Sequence, residues 1–444
     1  MQITHEHSLN SAGLAREASP PLVVISILNW NGWQDTLECL ASVQRLDYPN
    51  HLTVVVDNGS WDNSAERIKA WAHENLGAGH VLADYTQEIA FQGGDPQTEE
   101  ALQRTGSPAR LVLICTKDNL GFTGGNNLSI SYALRRGIAP DYVFLLNNDA
   151  RLEPDCLTQL VTADWRADAA MIAATLRRPG VRRVDNGSEN RKTREPNAAS
   201  ANEEFDELVG ERGSGPVMPQ SRYRSGGFTP PFSGWRGKPA ATFEIETEAL
   251  RGPPGLENRQ ISEKLRKHST ALDAGGDLIP VTWASAGALL VRRDLLEGVK
   301  QIQGSYLDNR LFVYGEEIAL SRAACRLGYK PLLAKRAVGC HRGMASTGGH
   351  WGALQFYYST RNMFYGADYL PKFQRLCFRL MYPLKSTGRV IKYLLKGRPT
   401  SARGAFWGMI DAYRGVTGKW RNHDREANSG RRGGFLKSGR AEVG

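Results

Sequence analysis

The sequence predicts an α/β fold built on a mainly parallel central sheet. Two observations carry this. Short apolar runs recur at Leu22–Leu28, Leu52–Val56, Leu111–Ile114 and Tyr142–Leu146, and stretches of helical spacing separate them. Continuous runs of Val, Ile and Leu suit strands buried on both faces, and strands alternating with helices indicate βαβ units.

The elements follow in order. Residues 1–20 read as a disordered leader without an apolar core. The first strand ends in Asn29-Trp-Asn-Gly32, which is turn chemistry. Trp33, Leu37, Leu40, Val43 and Leu46 then repeat at helical spacing. The second strand ends in Asp57-Asn-Gly-Ser60, and Asp62-Asn-Ser64 opens a helix through Trp71. Residues 84–109 are polar and read as an irregular insertion. The third strand leads to a glycine-rich loop and a helix over 126–136, and the fourth ends in Asn147-Asn-Asp149. Residues 177–278, rich in Arg, Glu, Asn, Gly and Pro, read as a divergent insertion. Order resumes with a strand-like run from Val281 to Val291 and a helix from Glu316 to Leu327. This organisation predicts a ligand-binding half over 21–176, a second half over 279–366 and a helical tail over 367–444.

In parallel sheets, ligands bind beyond the carboxyl ends of the strands. The polar clusters sit there. Asp57 would accept hydrogen bonds from a base or ribose, or would bond its own turn. Asn119-Leu-Gly-Phe-Thr-Gly-Gly-Asn-Asn127 would bring backbone close to a phosphate at a helix start, or would be a tight turn. Its spacing is neither the dinucleotide fingerprint nor a P-loop. Asp149 would hold a hard divalent cation against a diphosphate, or cap a helix. Glu316 and Glu317 would supply a general base, or simply favour a helix's first turn. His341 would ligate a metal or touch a phosphate, with Ser346 and Thr347 as loop donors, or be structural.

Bulk properties bound the rest. The 444 residues carry a net charge of +10. From Lys372 onward, 17 Lys/Arg face 4 Asp/Glu, so the body of the chain is slightly acidic and the tail strongly basic. Phe373, Leu376, Leu380 and Leu384 share a helical face there, with a break expected near Pro383. The tail reads as a basic amphipathic helix at an anionic membrane surface, or as a packing helix with a solvated basic face. No nucleic-acid-binding module accompanies it. The longest apolar runs are too short to span a bilayer. The six cysteines show no metal spacing, and Cys115 and Cys325 lie in apolar stretches, which predicts buried free thiols and a reducing, cytoplasmic setting.

Taken together, these segments resemble glycosyltransferase family 2, and within it the bacterial rhamnosyltransferase-like branch. The matching segments are Val24 to Gly32, Val56 to Ser64, Asn119 to Asn127, Leu145 to Ala150, Trp283 to Arg293, Leu307 to Glu317, His341 to Thr347 and Tyr357 to Asn362, in family order. The resemblance implies a GT-A type Rossmann-like fold, Mg²⁺ or Mn²⁺, and inverting transfer from a nucleotide-diphosphate sugar (dTDP-, UDP- or GDP-linked) to a glycan or lipid-linked acceptor in surface polysaccharide synthesis. Rhamnose is the branch's common sugar. The resemblance places Asn29, Asn31, Asp57, Asn119, Gly121, Gly124, Asn126, Asn127 and Asn148 around the donor. It places Asp149 and His341 at the metal, and makes Glu317 the base with Glu316 as rival.

Several positions depart from the family pattern. Asn147 replaces the first Asp of the metal motif, the base is Glu rather than Asp, and Ala319 stands where an acid usually follows it. The Gln-x-x-Arg-Trp motif and membrane helices of processive members are missing, which implies single additions by an enzyme peripheral to the membrane. The departures keep open a binder of nucleotide sugars that does not catalyse. A sugar nucleotidyltransferase is the other alternative, although no basic glycine-rich loop follows Leu28.

Overall fold

The computed structural model describes residues 19–163, 165, 168–177, 277–281, 283–342 and 352–422. The expected leader up to residue 18, nearly all of the insertion over 177–278, the loop with Ser346 and Thr347, and the chain beyond 422 lie outside the described residues.

The protein is α/β, with a large central sheet and helices at the C-terminal end. Four strands fall where the apolar runs predict them: β1 (Val23–Asn29), β2 (His51–Asp57), β4 (Arg110–Cys115) and β5 (Tyr142–Asn147). With β3 (Val81–Thr86) they form a parallel half-sheet in the order β3-β4-β2-β1-β5. Val23, Val24, Ile25 and Ile27 of β1 are fully buried, alternately in the two cores on either face of the sheet. Each such side chain stabilises the fold by about 1.5–3 kcal/mol.

The second half is mixed. β9 (Ala288–Arg292) pairs antiparallel with both β5 and β7 (Ala169–Arg177). β10 (Lys330–His341) runs parallel to β7 and antiparallel to β6 (Ala150–Leu152) and β8 (Leu278–Pro280). The two expected halves therefore contribute strands to one sheet.

The helices are α1 (Trp33–Val43), α2 (Ser64–Asn75), α3 (Gln87–Gln92), α4 (Pro96–Arg104), α5 (Gly121–Arg135) and α6 (Cys156–Val161). They continue as α7 (Arg293–Gln303), α8 (Glu316–Arg326), α9 (Ala353–Gly366), α10 (Lys372–Leu395) and α11 (Pro399–Tyr413).

Several expectations are corrected. Residues 84–109 are ordered as β3, α3 and α4. An edge strand buries only one row, here Ala83 and Tyr85, so its polar remainder hides it. The helix read over 126–136 begins at Gly121, so most of the glycine-rich segment is helical. The run from Val281 to Val291 is strand only from Ala288. α10 continues through Pro383. Proline removes one helix bond, but Phe378 and Tyr382 are buried, and the Tyr382 hydroxyl donates to the Thr360 carbonyl at 2.8 Å. Ser386 and Tyr393 beyond Pro383 are buried as well, so packing on both sides of the proline holds the axis. All six cysteines are free, but Cys325 is exposed and Cys115, the last residue of β4, is half-buried where it packs against the core.

Candidate active site

The carboxyl ends of β1, β2 and β5 lie side by side. Asn29 pairs in register with Asp57, and Leu28 with Asn147. Neighbouring strands stand ~4.8 Å apart, which brings the three polar clusters together. A hydrogen-bond chain links them. Asn148 donates to the Thr36 hydroxyl at 3.0 Å, which donates to Asn29 Oδ1 at 2.8 Å. Asn29 Nδ2 in turn donates to Asp57 Oδ1 at 2.7 Å. The Ser60 hydroxyl also donates to Asp57 Oδ1, and its oxygen accepts from the Asn31 backbone N–H. Burial pushes the Asp57 carboxyl above its usual range, against the lowering effect of the Ser60 and Asn29 bonds. Asn31 adopts φ 50° and accepts from the Trp61 N–H, placing Trp30 and Trp61 edge to face at 5.5 Å. Trp61 is exposed beside this network.

The polar groups of the glycine-rich segment are bonded largely to neighbouring protein. Asn119 Oδ1 accepts from the Gly121 N–H at 2.8 Å and from Asn58 Nδ2 at 3.1 Å. Asn58 also donates to the Gly121 carbonyl and accepts from the Leu120 N–H. Gly121 has φ +76°, and a Cβ there would collide with the Phe312 carbonyl. Leu120 covers Gly124, and Leu28 covers Gly125 where α5 crosses β1. Asn126 donates to the Phe122 carbonyl and accepts from the Ser26 hydroxyl. Asn127 donates to the Leu307 carbonyl and accepts from the Leu307 N–H, clasping a segment 180 residues away. The asparagines of this segment thus shape the site through its neighbours.

On the far side of β5, His341 Nε2 lies 2.9 Å from Asp149 Oδ1 and 3.0 Å from Asn147 Nδ2. Beside them Asp35 and Glu38 of α1 pair with Arg342, and Glu38 also with Arg151. These groups, with Asp149 and Cys340, line a small cavity. Burial raises the Asp35 carboxyl despite Arg342. Among the described residues no three His, Cys, Asp or Glu side chains form a metal cluster. Asp149 and His341 nevertheless fit a shared ion. Two adjacent ligands on a six-coordinate cation with bonds of ~2.1 Å stand about 3 Å apart, and such ions take few protein ligands beside substrate phosphates.

Glu316 and Glu317 open α8 behind a strained turn. Tyr314 has φ 71° and Gly315 φ 95°. The turn packs with Phe312 and Trp30, which brings the start of α8 to the side of the site bearing Asn29 and Asn31. Glu316 is buried, and among the described residues its Oε2 has no hydrogen-bond partner. Burial, then the charge of Glu317, raise its carboxyl well above the usual range, and burial raises Glu317 as well. Gly287, in the run after Trp283, accepts from the Asn147 N–H, and the Ala284 N–H donates to Ser321 of α8. This run therefore bridges the end of β5 and the helix bearing the two glutamates.

The sequence singles out Asp57, Asn29 and Asn148 of this network but not Thr36, which links the last two. Thr36 and Asn58 are buried polar residues that carry bonds between motifs. Asn58 lies inside Asp57-Asn-Gly-Ser60, whereas Thr36 offers only its place on the buried face of α1.

No model of a known protein family matches the chain, and no curated protein matches it. Solved structures do. A mannosyltransferase, PcManGT from Pyrobaculum calidifontis in complex with GDP-Man and Mn²⁺, aligns at 13% identity and a TM-score of 0.42, covering 95% of this chain and 82% of that one. S. aureus TarS 1–349 in complex with UDP-GlcNAc aligns at 12% identity and 0.42, covering 88% and 81%. A longer S. aureus TarS aligns at 12% and 0.36, and 39% of it is covered. Similarity at this level carries nothing about this chain's activity.

Proposed function

We propose that the chain is an inverting glycosyltransferase of the family 2 type. It moves a sugar from a nucleotide-diphosphate donor to a hydroxyl of a glycan or lipid-linked acceptor, as in surface polysaccharide synthesis. The observation that carries this reading is the hydrogen-bonded chain from Asp57 through Asn29 and Thr36 to Asn148, which ends beside the Asp149–His341 pair. It arranges a nucleoside acceptor and a diphosphate-metal pair in the order that a donor needs. The motif order described above supports the same reading, with rhamnose as one candidate sugar.

In this reading Asp57 accepts hydrogen bonds from the nucleoside, and Asn29, Asn31 and Asn148 hold its surroundings. Asn119, Gly121, Gly124, Asn126 and Asn127 fix the wall beneath the donor. Asp149 and His341 would hold Mg²⁺ or Mn²⁺, which when bound neutralises charge on the leaving diphosphate. Glu317, in the first turn of α8, takes the proton of the acceptor hydroxyl as its oxygen bonds to the anomeric carbon. The anomeric carbon's bond to the diphosphate oxygen breaks on the opposite face, and the electron pair leaves with the nucleotide. A carboxyl raised by burial is suited to removing a proton near neutral pH. Glu316, more deeply buried, keeps the second negative charge from forming beside it.

Donor binding tests the reading. Thermal shifts are measured with UDP-, GDP- and dTDP-sugars, with and without Mg²⁺ or Mn²⁺. A metal-dependent shift for one donor that disappears in Asp149→Ala is expected. A folded protein that shifts with none of them overturns it.

A further inference from the structure

α10 carries two opposed faces. One packs on the protein through Phe378, Tyr382, Ser386 and Tyr393, all buried. Directly opposite, at intervals of three, four and seven residues, stand Phe373, Leu376, Leu380, Leu384, Ile391 and Leu395. At 3.6 residues per turn these form one stripe along the whole helix. Its members are open to solvent: Leu380 is 70% exposed, Leu384 68% and Leu395 83%. Because α10 passes unbroken through Pro383, the stripe is continuous over 24 residues, or ~36 Å.

The stripe has basic margins on both sides. Lys385, Lys392 and Lys396 lie along one, and Lys372 along the other with Arg379, which pairs with Asp368 at 2.7 Å. From Lys372 to Ile410 the sequence holds nine Lys/Arg and no Asp or Glu. A soluble packing helix has no need of an exposed apolar row of this length, and exposed patches of this kind mark interaction sites. No helix among the described residues is long and apolar enough to cross a membrane.

We infer that this face of α10 lies in the plane of an anionic lipid surface, with the stripe among the acyl chains and the lysines at the headgroups. Charge complementarity selects this occupant. A helix with an apolar face and Lys/Arg-rich flanks gains from both contributions at such a surface. A second copy docked through the same face would set basic margin against basic margin. The inference is independent of the transferase reading, because lipid binding requires neither donor nor acceptor.

Co-sedimentation of the full chain with vesicles tests it. The wild type is expected to bind vesicles containing phosphatidylglycerol at least tenfold more tightly than pure phosphatidylcholine vesicles, with the difference shrinking in 0.5 M salt as charges are screened. The double variant Leu380→Glu, Leu384→Glu is expected to lose at least tenfold in affinity at an unchanged thermal midpoint, since both side chains already face solvent. Lys385→Glu with Lys392→Glu is expected to weaken binding to the anionic vesicles alone. Failure of the wild type to bind anionic vesicles overturns the inference, as does equal binding by the leucine variant. A dimer in sedimentation velocity that the leucine variant abolishes, without vesicle binding, gives the face to a second copy instead.

Discussion

Asn362 donates both hydrogens of its side-chain amide to consecutive carbonyls, those of Val313 and Tyr314, at 2.8 Å each. The buried Arg361 orients that amide by donating from Nε to Asn362 Oδ1 at 3.0 Å. The two bonds hold the left-handed turn from which Glu316 and Glu317 start. Asn362→Ala removes both donors to these carbonyls, for about 1–3 kcal/mol. The denaturant midpoint should fall accordingly. Turnover should drop at least tenfold while donor affinity, read by titration, stays near wild type.

Gly121 and Phe312 join the glycine-rich segment to the same turn. Gly121→Ala forces a side chain into φ +76° against the Phe312 carbonyl. The left-handed conformation alone costs ~1–2 kcal/mol, and the collision adds to it. A thermal midpoint several degrees lower is expected, with loss of both donor binding and turnover. An unchanged midpoint would show that the two segments do not depend on each other.

The two glutamates should separate by their effects. Glu317→Gln is expected to lower turnover 10²- to 10⁴-fold with donor binding retained. Glu316→Gln should instead stabilise the fold at high pH. The sign follows from the raised carboxyl: the native state keeps its proton after the unfolded chain has lost it near pH 4.5, so stability falls as pH rises through that window. The neutral amide removes this loss. Denaturant midpoints should rise in the variant at pH 8 and match the wild type below pH 4. A variant less stable at pH 8 would show that Glu316 is a satisfied structural group.

Glu99 anchors α4 and α5 to one another. Its Oε2 accepts from Arg136 Nε at 2.9 Å, and its Oε1 from the hydroxyls of Tyr132 at 2.6 Å and Tyr85 at 3.1 Å. With both charged side chains over nine-tenths buried, Glu99→Ala strands the guanidinium and should cost about 3–5 kcal/mol. Turnover of the folded fraction should be unchanged, since none of the four groups bonds to a site residue.

Much of this architecture is legible in the sequence because its strands are buried on both faces. Val23 to Ile27 and Leu52 to Val56 announce themselves as unbroken apolar runs, and the polar residues ending them fall at strand ends by necessity. The less visible parts fail for equally local reasons. β3 turns only Ala83 and Tyr85 inward. β7 is built partly of alanines, which its neighbours bury without any strong β signal. The glycines after Asn119 look like a phosphate loop, yet Gly121 and Gly125 are required by the close approach of Phe312 and Leu28. The bonds of Thr36, Asn58 and Asn127 span long sequence separations, and no spacing rule reports them. The pairing of His341 with Asp149 is of the same kind: both residues stand out singly, and only the antiparallel register of β10 on β6 brings them together.

That register also bears on how the molecule is made. β10 is the last strand among the described residues, yet β6, β7 and β8 all pair with it. The parallel half-sheet from β1 to β5 can assemble as it emerges from the ribosome. β6 has to wait roughly 190 residues for its partner, about 10–40 s at ordinary rates of synthesis. Until β9 is made, the buried β7 has no companion on either edge, and until β10 it has none on one. The Asp149–His341 pair cannot exist until His341 itself has been added, so this corner of the candidate site is the last part of the described sheet to be born.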